Sequence, residues 1–361
     1  MIYLDWSSTT PICEVAKQEI IKHLDDFGNP SSSYEFARKS RLLIEDARER
    51  IAKCINAKPD EIYFTSGGSE ANTWALDNFR IISSSIEHHS IKSTIPDDNI
   101  KIDHNGIIRM QDVNNVDNWY YRLVSCMHVN NEIGTIQPIK EISQVVHQNG
   151  MLFHTDAVQA VGHIPIDVKN LDCDMLSASG HKFGALKGIG FLYIKNNIEI
   201  RPLIYGGKQE SGLRGGTENI LGIISMATAL EDSVIHMEER NRYIQHLRDE
   251  LLNELLQIPC THLNGSLENR VVSNINIRFD GVSGSRLVAL CDLYGICISS
   301  GSACNEGNAK PSHVLEAIGL TDEEALNSVR ITIGHQNTEE EIVQAAKIIT
   351  KLVERIRNEE T

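Results

Sequence analysis

"SASGHKFGALKGIG" runs from Ser177 to Gly190. It joins two short apolar runs that read as strands, "DMLSAS" (174–179) and "GIGFLYI" (188–194). Lys182 follows the end of the first run, approached by serine, glycine and histidine. A lysine in such a place can shed its proton and form a Schiff base with a carbonyl. The plainer reading is a solvated loop lysine. Lys187, in "LKGIG", is the internal control, since it lacks the Ser-Gly-His approach.

Outward from this stretch, helical and strand patterns alternate, which predicts an α/β architecture. "EIYFT" (61–65), "RLVSCMHV" (122–129) and "MLFHTD" (151–156) read as further strands. Ile44, Ala47, Ile51 and Ile55 mark one face of a helix, and Ile342, Ala345, Ile349, Leu352 and Ile356 mark another. The second opens with "TEEE" (Thr338–Glu341), a capping-box pattern. In parallel α/β sheets ligand groups gather at the carboxyl ends of strands, so chemistry is expected there.

Composition narrows the function classes. A chain of 361 residues can bury a large core and is expected to form two domains. No run approaches the ~18–20 apolar residues that span a bilayer, and "MIYLDWSSTTP" is not a secretory signal. The cytoplasm is the default expectation. Acidic residues outnumber basic ones by 49 to 34, and the formal charge of −15 argues against a nucleic-acid or anionic-membrane surface. The eight cysteines are Cys13, Cys54, Cys126, Cys173, Cys260, Cys291, Cys297 and Cys304, with no C-x-x-C pair or zinc-ribbon spacing. Most sit in apolar runs as reduced core thiols. Cys304 stands apart, in "SSGSACNEGNAKPSH" (299–313), among small and polar residues that pack poorly but suit a moving loop.

Three more strand ends carry chemical signals. "FTSGGSEAN" (64–72) passes from a strand through Gly67-Gly68-Ser69 into a helix, a cradle for phosphate at a helix N-terminus or simply a turn. "FHTDAVQA" (153–160) ends an apolar strand on Asp156, either a helix cap or a carboxylate facing a cationic ring nitrogen. "SSSIEHHSI" (83–91) delivers His88 and His89, one of which could stack on a flat ring. A phosphate cradle, a stacking histidine, a ring-nitrogen aspartate and a Schiff-base lysine together describe one ligand, pyridoxal 5′-phosphate.

At this point the sequence resembles the cysteine desulfurases, pyridoxal-phosphate enzymes of the aminotransferase class V type with fold type I. "YLDWSSTTP", "GNPSSSYEFAR", "FTSGGSEAN", "EHHS", "MHVNNEIGTIQPI", "FHTDAVQAVGHIPIDV", "SGHKFGALKGIG", "LRGGTEN", "SSGSAC" and "VRITIG" occur in that family's order, over nearly the whole chain. "SSGSAC" narrows the resemblance to the branch with the longer active-site loop.

The resemblance implies the following roles. Lys182 would hold the cofactor covalently, Asp156 would pair with its ring nitrogen, and Gln159 would hydrogen-bond the ring oxygen. His88 would stack on the ring and relay a proton. Gly68, Ser69, Ser179 and His181 would hold the phosphate, with Thr217 reaching in from the other subunit of a homodimer. Asn131 and Arg330 would bind the carboxylate of L-cysteine, and Cys304 would be the nucleophile. No resident metal is implied beyond transient contact of Cys304 with a nascent iron–sulfur cluster.

The implied domains are a large cofactor-binding unit over 13–235, with a mainly parallel sheet, and a smaller α+β unit of 236–361 with 1–12. The implied reaction converts L-cysteine to L-alanine and leaves a persulfide for an acceptor protein, in iron–sulfur assembly or thiolation. Alternatives are a selenocysteine lyase, another lyase or aminotransferase on this fold, or a non-catalytic scaffold. The presence of both Lys182 and Asp156 argues against the scaffold. The chain departs from the family at Ser211, Leu186 and His335, and between Leu76 and Val124, where it is shorter.

Overall fold

The computed structural model describes residues 1–77, 79–93, 99–300 and 310–360. Among the described residues twelve strands form three sheets: β1 (Ile2–Tyr3), β2 (Ile62–Thr65), β3 (Ile81–Ser84), β4 (Asn99–Ile100), β5 (Leu123–Ser125), β6 (Leu152–Asp156), β7 (Met175–Ser179), β8 (Gly190–Ile194), β9 (Thr261–Leu263), β10 (Asn274–Phe279), β11 (Ile296–Cys297) and β12 (Ser328–Thr332).

The large sheet has seven strands in the order β2-β8-β7-β6-β5-β3-β4. β8 runs antiparallel to both neighbours and the remaining pairs are parallel. This is the α/β architecture expected from the sequence. Every residue of β5, β7 and β8 is buried, as expected of strands covered on both faces. The run 122–129 stops being a strand at Ser125, although the N–H groups of Cys126 and His128 still donate to the carbonyls of His154 and Asp156 on β6. Val129 bridges to Ile136 instead.

The helix Glu35–Cys54 buries Ala37, Ser40, Ile44, Ala47 and Ile51 along one stripe and packs on the buried helix Ile220–Ile235. Ile55 lies one residue past its end but stays in the same core.

A second core gathers the helices Met237–Leu256, Gly284–Leu293 and Glu339–Glu360 around the antiparallel sheet β12-β10-β9. Ile2 and Leu4 belong to this core, and β1 pairs in parallel with β11. The capping box forms as expected: Glu341 N–H donates to Thr338 Oγ1, and Thr338 N–H donates to Glu341 Oε2, both at 3.3 Å. Among the described residues no single helix is long and apolar enough to cross a bilayer.

The directions of β2, β3, β5, β6 and β7 agree, so their carboxyl ends share one edge. Thr65, Ser84, Asp156 and Ser179 all stand there.

Candidate functional site

Along that edge lies a cleft of about 750 Å³. It brings together Gly68, Ser69, His88, Asn131, Asp156, Gln159, Ser179, His181, Lys182 and Arg330. Thr217 is exposed and lies outside the lining of its own chain's cleft. Cys304 falls in 301–309, outside the described residues. No cysteine among the described residues lines the cleft.

Lys182 ends a 3₁₀ turn, Gly180–Lys182, that follows β7 directly. Its Nζ donates to the carbonyls of Ser7 and Ser8, each at 2.7 Å. Burial, aided by the positive charge of Arg330, pushes the amine down from 10.5 to about 8. About a tenth is therefore unprotonated at neutral pH, where a solvated lysine has almost none. Lys187 also lines the cleft, so proximity alone does not separate the two lysines. What separates them is burial, since Lys187 is exposed.

Asp156 is the last residue of β6 and is 4% exposed. Its Oδ1 accepts from Val158 N–H at 2.9 Å and its Oδ2 from Asn72 Nδ2 at 2.7 Å. The residues that follow it form a turn and not a helix, so the helix-cap reading does not hold. Burial pushes its carboxyl above the usual carboxylate range, opposed by these two donors. A cationic N–H at the carboxylate would reverse that penalty.

The helix Gly68–Leu76 starts beside this carboxylate. A Cβ on Gly68 would stand 2.5 Å from Val158 Cγ2, and one on Gly190 would stand 2.8 Å from Gly67 Cα. Only glycines let the helix N-terminus sit this close to β8 and to the turn after β6. The Ser66 N–H is held by Glu70 Oε2 at 2.7 Å, and Glu70 is held in turn by Arg214.

His88 caps the short helix His89–Lys92, its Nδ1 accepting from Ser90 N–H at 3.1 Å. Gln159 Nε2 donates to the Ser7 carbonyl at 2.9 Å. Burial pushes His181 down to about 4, helped by Lys182; its Nδ1 lies 3.1 Å from Thr9 Oγ1.

Arg330, on β12, donates to Asp5 Oδ1 at 2.7 Å and to the Asn131 carbonyl at 3.0 Å. Its Nε is buried without a partner. Backbone bonds tie Arg330 to Ser299 in both directions. On the other side of 301–309, Ser312 Oγ donates to Glu132 Oε2 at 2.5 Å, and His313 Nε2 lies 3.1 Å from the Glu87 carbonyl. Both flanks of that segment are thus anchored on residues that adjoin the cleft. Burial pushes Glu87 up to about 8 and Glu132 up to about 7.

Asn72, Ser90, Asp5 and the carbonyls of Ser7 and Ser8 were not singled out from the sequence. Asn72 sits one turn into the glycine-led helix, which was the only local hint. The others meet the site across long separations.

The donor set fits pyridoxal 5′-phosphate: a deep carboxylate, an amine held well below the ordinary lysine range, a helix N-terminus that glycine keeps accessible, and a guanidinium. The aminotransferase class-V family profile matches residues 2–344. The chain is 41% identical to cysteine desulfurase IscS of Methanosarcina thermophila, over 99% of this chain and 93% of that protein. It is 38% identical to putative cysteine desulfurase IscS 1 of Bacillus subtilis, over 98% and 99% respectively. Among solved structures, a NifS-like protein superposes with a TM-score of 0.92 at 33% identity, covering 98% of this chain and 99% of the other. SspA in complex with cysteine superposes with a TM-score of 0.82 at 33% identity, covering 94% and 100%.

Proposed function

The chain belongs to the aminotransferase class-V family, and from that premise we propose that it is a pyridoxal 5′-phosphate-dependent cysteine desulfurase of fold type I. The reaction takes L-cysteine to L-alanine. The Cβ–S bond breaks, an S–S bond forms to an enzyme thiol, and the persulfide is then passed to an acceptor protein. The observation that carries this reading is the meeting, in one cleft, of a buried amine held far below the ordinary lysine range and a buried carboxylate to which, among the described residues, no cation is hydrogen-bonded.

The cofactor, when bound, supplies an electron sink for bonds breaking at the amino-acid Cα and Cβ. Lys182 is the residue that would hold it and, once released, take the Cα proton, for which a neutral amine is required. Asp156 would hold the ring N–H, and Gln159 the ring oxygen. His88 would cover the ring. Gly68, Ser69, Ser179 and His181 would hold the phosphate, with Thr217 contributed by the partner of a homodimer. Arg330 and Asn131 would bind the substrate carboxylate, and the unpartnered Arg330 Nε supports that role. Cys304 would be the sulfur carrier. Its support is partly one of elimination, since no described cysteine lines the cleft. The anchoring of both flanks beside the cleft adds to it. A division near residue 235, with 1–12 joining the C-terminal unit, belongs to the same reading; the pairing of Ile2 with Ile296 supports it.

The test is production of alanine from L-cysteine, with mass mapping of the persulfide. Lys182→Ala is expected to abolish alanine formation and Lys187→Ala to keep it. Cys304→Ser is expected to bind cofactor and substrate but carry no persulfide. Full alanine and sulfide production by Cys304→Ser would overturn the assignment of the carrier.

A further inference from the structure

Two polar residues stand between Asp156 and His88 and have no part in the reading above. Asn72 is 1% exposed, and its Nδ2 donates twice, to Asp156 Oδ2 at 2.7 Å and to Ser90 Oγ at 2.9 Å. An ionised carboxylate only accepts, so the amide nitrogen must face Asp156. This orientation leaves Asn72 Oδ1 buried with no partner, a penalty that the carboxylate imposes. Ser90 Oγ accepts from Asn72 and has one hydrogen of its own to give. His88 Nδ1 lies 2.8 Å from that oxygen. The backbone N–H of Ser90 also donates to Nδ1, at 3.1 Å. A proton on Nδ1 would face that N–H head-on, so Nδ1 must be an acceptor.

We infer that Asn72 and Ser90 are positioning residues: the carboxylate of Asp156 orients the Asn72 amide, Asn72 orients the Ser90 hydroxyl, and Ser90 fixes His88 as the tautomer carrying its proton on Nε2. His88 therefore meets the cleft as an N–H donor and not as a proton acceptor. The same chain opposes protonation of the ring, because a second proton would displace the Ser90 bonds. Its consequence for catalysis rests on the reading of His88 as the residue over the cofactor; the hydrogen-bond chain itself does not.

The charged and titratable groups around the ring act in opposing directions. Burial holds His88 below the ordinary imidazole range; Lys182 and His89 reinforce this, and Asp156 opposes it. His313, whose ring tilts against His89 at 5.3 Å, is itself pushed down to about 4, mainly by burial.

The test is nitrogen NMR of the protein as purified, labelled at histidine ring nitrogens, with His88 assigned from the resonances lost in His88→Gln. In the wild type, His88 Nδ1 is expected to show the shift of an unprotonated nitrogen throughout the neutral range. Ser90→Ala is expected to raise the titration midpoint of His88 by about half to one pH unit, the effect of one hydrogen bond. Ser90→Thr, which keeps the hydroxyl, restores the wild-type midpoint. Asn72→Ala is expected to perturb His88 less in the Ser90→Ala background than in the wild type. A proton on Nδ1 in the wild type, or equal midpoints in wild type and Ser90→Ala, would overturn the inference; equal Asn72→Ala effects in both backgrounds would remove Asn72 from it. Alanine production is read separately. Its absence beside an intact Nε2–H tautomer refutes the proposed function alone, whereas its presence with a proton on Nδ1 refutes only this inference.

Discussion

The stability difference between the cofactor-free wild type and Lys182→Met is expected to depend on pH, and the physical cause is the buried amine. Burial and the charge of Arg330 bring Lys182 from 10.5 to about 8. The unfolded chain thus binds this proton more tightly than the folded one. Between pH 8 and 10.5 unfolding takes up a proton, so stability rises with pH through that window. Below pH 8 the full penalty applies. At about 1.4 kcal/mol per pH unit it is roughly 3 kcal/mol. Methionine has a similar length and no proton, so it escapes the penalty. It also leaves the Ser7 and Ser8 carbonyls without the lysine donor, a loss of about 1–3 kcal/mol that varies little with pH. The diagnostic quantity is therefore the slope. From pH 10 down to pH 7 the wild type should lose about 2–3 kcal/mol relative to the variant. Urea unfolding of both proteins at several pH values, with reductant to protect the thiols, measures it. Other groups that titrate in this range cancel in the difference. A difference constant to within about 0.5 kcal/mol would refute the reasoning. It would mean that the amine is solvated and not poised for chemistry.

Gly68→Ala places a methyl group 2.5 Å from Val158 Cγ2; it should cost about 1–3 kcal/mol and weaken cofactor binding about tenfold, read by absorbance titration. Unchanged affinity would show that the helix N-terminus is not part of the cradle. Glu210 accepts from both Arg48 Nη atoms, at 2.8 and 2.9 Å, and from Phe64 N–H at 2.8 Å. Glu210→Ala should therefore destabilise the fold by about 3–5 kcal/mol in denaturant unfolding, and a loss below about 1 kcal/mol would show that the pair is solvated. Thr217→Val should leave a dimer in sedimentation but weaken its hold on cofactor; a monomer with normal cofactor affinity would refute a site shared between two chains.

Much of the site was legible from single residues because a parallel sheet imposes a rule of place. Once 151–156 and 174–179 read as strands, Asp156 and Lys182 had to fall on the same edge, and Gly68 and His88 followed from the strands before them. Burial then decided which of two nearby lysines is perturbed: Lys182 is mostly buried and Lys187 is exposed. The apolar character of 122–129 continues past Ser125, where the pairing with β3 stops while hydrogen bonds to β6 go on at Cys126 and His128. Apolar pattern reports burial, and Cys126, Met127 and Val129 are buried without belonging to a strand.

The sequence by itself determined the chemical inventory and its order: a lysine, an aspartate, a histidine and a glycine-led helix, each at the end of a strand. Local periodicity and turn chemistry are sufficient for that, since each signal lies within one short stretch of sequence. Tertiary structure alone decided the partners. Asn72 meets Asp156 across 84 positions, Lys182 meets Ser7 and Ser8 across 175 and 174, and Arg330 meets Asp5 across 325. No local pattern encodes such pairs, because they arise when separate strands and helices are brought to a common edge. Yet they set the electrostatics: the same lysine in a solvated turn would keep its proton, and the same aspartate at an exposed cap would need no partner.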